Sequence, residues 1–256
     1  MGLFSKLFGN KEQPILPPNE NIQQITDLTG CEWQYIKKPL SSDELMELYK
    51  KECTKGKKDG YTPVILVPND FLLEMIECNY EDNGGVENYR NTVLNADISD
   101  GDVILKRRFE ANMKVFEEDF GTENIYGEYS DDVKPTSNFL NTDNSEELIL
   151  TKIPVTEPWK VFAWIPFGGW NECPDTEDMV AVCKYWYDKY SAVPAVISSA
   201  ELQMYVSAPI NGKDEALIAA EEHYAFCNDA VDQRAGSIKA LASHILNSSV
   251  WYFWWD

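Results

Sequence analysis

The densest group of side chains able to do chemistry is Phe167-Gly168-Gly169-Trp170-Asn171-Glu172-Cys173-Pro174. Adjacent glycines permit backbone angles closed to other residues and let a second group approach closely. Asn171, Glu172 and Cys173 then offer an amide, a carboxylate and a thiol in consecutive positions. A second group follows further along: Glu221, Glu222, His223, Cys227, Asp229, Asp232 and Gln233. His223 and Cys227 are four apart and so share a helix face.

Two chemistries are open to these residues. Cys173 as nucleophile, with Glu172 and His223 as its catalytic partners and Asp229 or Asp232 in support, is a hydrolase-type arrangement. Trp170, Asn171, Glu172, Asp229, Asp232 and Gln233 around one cleft would instead bind a ligand or partner. The structural alternative is a tight turn with Cys173 in the core, Asp229, Asp232 and Gln233 holding a turn by hydrogen bonds. A Cys3His zinc site from Cys173, Cys183, His223 and Cys227 matches no usual module spacing, so neither metal nor cofactor is expected. A glycosidase-type carboxylate pair is hard to single out, because 43 acids supply many pairs by chance. The chain holds two histidines and no phosphate-binding glycine loop, Gly-x-Ser-x-Gly elbow or His-Glu-x-x-His helix.

The charge bears on partners. The net charge is −21, and residues 121–158 are the most acidic stretch per residue, with 8 acids against 2 bases. Nucleic acid and anionic membranes are disfavoured, because phosphate contacts need clustered Lys and Arg. A basic protein partner is favoured by electrostatic steering, although solubility alone also explains an acidic surface. The six cysteines form no Cys-x-x-Cys pair and no secretory leader precedes them, so reduced thiols in the cytoplasm are expected. No apolar run approaches bilayer length, and no stable membrane insertion is expected. Leu3, Phe4, Leu7 and Phe8 make one short amphipathic stripe at the start.

These groups need elements to position them. Pro14, Pro17 and Pro18 set the first 20 residues apart as a flexible segment. Residues 21–120 read as an α/β region. In it, Ser41-Ser42-Asp43-Glu44 starts a helix with Leu45, Met46, Leu48 and Tyr49 inward. Lys55 to Gly60 reads as a basic turn, and Thr62 to Val67 as a buried strand closed by Pro68. Asn69 or Asp70 then caps a helix with Phe71, Leu72, Met75 and Ile76 inward, and a further helix lies near 103–119. Residues 121–147 read as an acidic linker or long surface loop, with an ordered binding loop anchored by Tyr126, Tyr129 and Phe139 as the alternative.

Residues 148–256 read as a C-terminal domain. Leu148 to Ile153, Lys160 to Ile165, Ala195 to Ile197 and Leu202 to Val206 are expected strands. Thr176 caps a helix bearing Met179, Val182, Cys183, Trp186, Tyr187 and Tyr190, and further helices run from Asp214 to Cys227 and onward from Ser237. Strands and helices interleave, so the class is α/β or α+β, a mixed sheet flanked by helices. Residues 43–67 and 177–197 echo one another as helix, turn, then strand with an early proline. Seven of the eight tryptophans lie within residues 159–256, and the chain closes on Trp251-Tyr252-Phe253-Trp254-Trp255-Asp256. Five consecutive aromatics repay their ordering entropy only when packed, so this end is expected as a strand locked into the core.

Four motifs in order resemble the bacterial domain of unknown function 4253 family: Ile165–Pro174, Trp186–Ala195, Ala225–Gln233 and Trp251–Asp256. The resemblance covers roughly 159–256. It departs at Ser191, where glycine is expected in the turn. It implies a bacterial, cytoplasmic protein and no particular activity. The reading that follows is a non-catalytic acidic binding or interaction protein, of the immunity kind in its concrete form. The alternative is a hydrolase whose site joins the 168–174 loop to the 221–233 segment.

Overall fold

The computed structural model describes residues 20–36, 40–98, 100–121, 123–142 and 147–255. The amphipathic stripe at Leu3–Phe8, the three prolines after it and Asp256 lie outside the described residues. The strands are β1 (Glu32–Ile36), β2 (Thr62–Leu66), β3 (Leu148–Ile153), β4 (Ala192–Ile197), β5 (Glu201–Val206) and β6 (Val250–Trp254). They form one mixed sheet in the order β1-β3-β2-β4-β5-β6. The β2–β4 pair is parallel and the others are antiparallel. The helices are α1 (Glu20–Thr29), α2 (Ser42–Asp59), α3 (Asp70–Asp82), α4 (Val86–Asn95), α5 (Gly101–Phe120), α6 (Thr176–Tyr190), α7 (Lys213–Phe226) and α8 (Ile238–Ile245). No helix among the described residues is long and apolar enough to cross a membrane.

Period-two alternation divides the strand residues between two cores. Val64, Leu66, Ile149, Ile153, Leu202, Met204, Trp251 and Phe253 face the larger one, with α6, α7 and α8. Ile65, Leu148, Leu150, Val196 and Val250 face a smaller core closed by Leu45, Met46 and Tyr49 of α2 and by Phe139. The echoing units 43–67 and 177–197 therefore put their strands side by side and their helices on opposite faces.

The helix starts follow local chemistry. Ser41 and Glu44 form a capping box on α2, with Ser41 N–H donating to Glu44 Oε2 at 2.8 Å. Asn69 Oδ1 accepts from Leu72 N–H at 2.8 Å to start α3. Asp175, not Thr176, caps α6 through Asp178 N–H. Thr176 takes the first helical position, and its hydroxyl donates to the Phe167 carbonyl at 3.4 Å. Lys55 to Gly60 is not a turn but the end of α2, closed by Gly60 in the left-handed region. Gly56 is needed there because a Cβ would lie 2.3 Å from the Tyr61 carbonyl oxygen.

Two further expectations are corrected. Pro158–Ala163 is a 3₁₀ turn where 160–165 read as a strand. Trp159, Val161, Phe162 and Ala163 are all buried, so burial has no period of two, and Pro158 fits the first position of a helical turn. Phe71 is 72% exposed, because α3 buries the stripe Leu72, Leu73, Ile76 and Tyr80 instead.

Described residues 123–142 form a pinned surface loop. Ile238 and Lys239 N–H groups donate to the carbonyls of Ile125 and Tyr126, and Ser249 and Val250 to that of Thr136. The buried Gln203 amide exchanges two 2.8 Å hydrogen bonds with the backbone of Leu140. Phe139 sits edge-on to Tyr49 at 5.2 Å, whereas Tyr129 is 37% exposed.

Ser191, in the turn where the resemblance implies glycine, ends α6 with φ 55°. A left-handed backbone disfavours a Cβ by roughly 1–2 kcal/mol, part of which glycine gives back in unfolded-chain entropy. Ser191→Gly should stabilise the fold by about 1 kcal/mol and raise the melting temperature by about 2–4 °C. An unchanged or lower melt in calorimetry would show that the serine hydroxyl offsets the strain.

Candidate functional site

The 168–174 loop leads from the 3₁₀ turn into α6, and its shape rests on Gly168. With φ +101° and a would-be Cβ only 2.0 Å from the Pro174 carbonyl oxygen, this position admits no side chain. Gly169 N–H donates to the same carbonyl at 3.0 Å, and Cys173 N–H to the Trp170 carbonyl at 2.9 Å. Asn171 takes φ 43° at the tip. Asn171 and Glu172 are exposed, Trp170 is half-buried and Cys173 is buried.

The loop meets the end of α7 through residues of other elements. Arg108 of α5 donates to the Glu172 carbonyl at 2.6 Å and to the Ala225 carbonyl at 3.1 Å. The Trp255 ring packs against Phe167, Trp170 and Phe226 at 5.8, 6.5 and 5.5 Å. Glu172 thus joins the fold through its backbone, with its carboxylate facing solvent.

The thiols here are poor nucleophiles. Burial, with the nearby Cys227, pushes Cys173 far above the usual thiol range despite Arg108. Burial pushes Cys227 up to about 12, and its Sγ–H donates to the Trp254 carbonyl at 3.1 Å. His223 is enclosed by Trp251, Phe253 and Trp186, with ring centroids 4.5, 4.7 and 5.4 Å away. Its Nε2 is buried without a hydrogen-bond partner, and burial lowers its pKa to about 3. Among the described residues no three His, Cys, Asp or Glu side chains converge to hold a metal ion.

After α7 the chain makes a π-helical turn over Ala230–Ala235. Gln233 Nε2 donates to Asp229 Oδ1 at 2.7 Å, and Asn228 Nδ2 to Asp232 Oδ2 at 3.2 Å. Burial raises Asp232 above the usual carboxylate range, against the Asn228 amide.

The remaining acids of the segment point elsewhere. Tyr126 Oη donates to Glu221 at 2.7 Å. Glu222 accepts from Lys189 Nζ at 2.6 Å, Tyr185 Oη at 2.9 Å and Trp186 Nε1 at 3.0 Å. Burial opposes the Lys189 charge, but bonds to Glu222, Tyr185 and Tyr190 outweigh it and hold the amine above its ordinary range.

Two concave sites are lined, apart from Glu221 and Glu222, by residues that the sequence did not mark as site residues. One is a groove between α5 and α7. The other is a cavity of ≈ 260 Å³ where α2 and α6 both end. A signal for the second was present: Tyr49, Cys53 and Lys57 recur every four residues, and both echoing turns lie beside it.

Residues 149–256 match the family model described as Domain of unknown function (DUF4253). All four motifs of the resemblance fall within the matched stretch, whereas Arg108 and α2 precede it. No curated protein and no solved structure matches the chain.

Proposed function

We propose that the protein is a non-catalytic acidic binding protein that takes a basic protein partner in the cytoplasm. The immunity type, which neutralises a basic protein, is its concrete form. The observation that carries the reading is the groove of ≈ 200 Å³ between α5 and α7. Leu105, Phe109 and Ile218 supply its apolar wall, and Ile218 is 47% exposed. Asp102, Glu110, Glu221 and Glu222 rim it; Asp102 is paired with Lys106 and Glu222 with Lys189, both at 2.6 Å, which leaves Glu110 and Glu221 as the groove's carboxylates without an ion-pair partner among the described residues.

An apolar wall inside an acidic rim suits a basic segment carrying an apolar anchor. The wall supplies affinity and the rim, with the −21 net charge, speeds encounter. The burial of Cys173 and His223 supports a non-catalytic role. The six free cysteines are consistent with a reducing compartment.

A helical Leu/Lys peptide, titrated calorimetrically against the full chain, tests the reading. Binding should weaken steeply with salt, and Ile218→Ser and Glu110→Lys should each weaken it about tenfold without lowering the melting temperature. A Leu/Glu peptide should not bind. Lys-peptide binding that neither substitution alters would place the contact elsewhere and overturn the reading.

A further inference from the structure

The ≈ 260 Å³ cavity lies at the opposite edge of α6 from the 168–174 loop, where the parallel strands β2 and β4 begin. Its walls are the rings of Tyr49, Tyr61, Tyr187 and Tyr205, together with Cys53 and Lys57. Parallel pairing brings the starts of two strands to one end of the sheet, so the turns Tyr61–Pro63 and Ser191–Val193 both reach it. The tyrosines are held in place. Tyr49 and Tyr205 pack edge-to-face at 5.7 Å, Tyr61 Oη donates to the buried Glu52 at 2.6 Å, and Tyr187 lies against Trp159 at 5.0 Å.

The charge of the lining is opposite to that of the protein. Lys57 is the one charged side chain among its described lining residues. It belongs to a run of five lysines, Lys50, Lys51, Lys55, Lys57 and Lys58, within nine residues of a chain of net charge −21. Helix C-termini carry partial negative charge, and α2 and α6 both end here. Part of each last turn is bonded within the fold: Gly60 and Tyr61 N–H donate to the Gly56 carbonyl, and Ser191 N–H to those of Trp186 and Tyr187. The charged group that the lining itself presents to a ligand is Lys57, the Glu52 carboxylate nearby being bound by Tyr61 Oη. The volume lies just under the roughly 300–1,000 Å³ of drug-sized sites, which suits a single ring with one small substituent.

We propose that this cavity binds a small organic anion with one aromatic ring, the ring among the four tyrosines and the carboxylate or phosphate on Lys57. The Ser191 and Ser207 hydroxyls on the lining offer further donors. The ring contributes buried apolar area and edge-to-face contacts, and Lys57 distinguishes the acid from a neutral molecule of the same shape.

Saturation-transfer NMR and titration on the full chain test this with 4-hydroxybenzoate and phenyl phosphate, against neutral 4-hydroxybenzamide. Both acids should bind, with the amide about fivefold weaker, the effect of one partly solvated charge pair. Lys57→Met should bring the acids down to the amide's affinity and leave the amide unchanged, with the melt unaltered because Lys57 is exposed. Bound acid should also slow alkylation of Cys53, followed by mass spectrometry of its peptide. Equal binding of acid and amide, acid binding that survives Lys57→Met, no binding of either acid, or no protection of Cys53 would each overturn the proposal. None of these outcomes touches the α5–α7 groove, so the two readings stand or fall separately.

Discussion

A chain ending at Val250 should not fold. Removing Trp251–Asp256 takes away nearly all of β6, which pairs with β5 from Tyr205↔Val250 to Glu201↔Trp254. Trp251, Phe253 and Trp255 are 2%, 0% and 1% exposed. Phe253 stacks on Trp186 at 5.3 Å, Trp251 meets Trp186 edge-on at 5.7 Å, and Trp255 fills the space between Phe167 and Phe226. Losing one large buried aromatic costs about 3–5 kcal/mol. Three such losses, about 9–15 kcal/mol together, are of the size of the roughly 5–15 kcal/mol that holds a domain of this kind together. The truncation also strips the open edge of β5, a template for association. The expected result is an aggregating protein without a cooperative melt by near-UV circular dichroism. A soluble truncated chain melting within a few degrees of the full one would show that the aromatic end is not part of the core.

The aromatic end was legible because its composition admits one outcome. Five consecutive rings cannot remain solvated at acceptable cost, and the alternation Trp251, Phe253, Trp255 gives the strand a buried face. Helix starts were legible where a side chain caps, as at Ser41, Asn69 and Ser237. Thr176 reads as the cap in place of Asp175 because the two are equally good acceptors, and composition does not choose between neighbours. The 158–163 turn is not legible because burial on every side erases the period that separates a strand from a helix.

The site was harder, for a topological reason. Arg108 joins the loop to α7 across sequence separations of 64 and 117 residues. Nothing local to Arg108 marks it as that bridge. The tyrosine-lined cavity depends likewise on β2 pairing parallel to β4. The echo between their units hinted at the relation without showing that they are neighbours.

His223 shows how a residue type associated with chemistry can belong to packing, and this yields the second large effect. On α7 it follows Ala219 and Ala220 and precedes Tyr224, Ala225 and Phe226, all buried. In the unfolded chain its pKa returns to about 6.5, whereas burial holds it near 3 in the native state. Between those values the unfolded chain binds a proton that the native protein refuses, so acid favours unfolding. The stability at stake is whole above about pH 6.5 and is lost as pH falls toward 3. At 1.36 kcal/mol per pH unit this is about 2 kcal/mol by pH 5 and on the order of 5 kcal/mol by pH 3. His244 is also lowered, by burial and Arg234, and acts with the same sign. Asp178 and Asp232 are raised by burial and act with the opposite sign. Most carboxylates titrate below pH 5, so urea unfolding between pH 7 and 5 isolates the histidines. In that window His223→Leu should flatten the decline by close to one proton's slope, whatever it does to stability at pH 7, because the titrating group itself is gone. A slope identical to that of the unsubstituted chain would mean that the imidazole takes up its proton alike in the folded and the unfolded protein, so that burial does not disfavour its charge. The unpartnered Nε2 among three aromatic rings argues against that outcome.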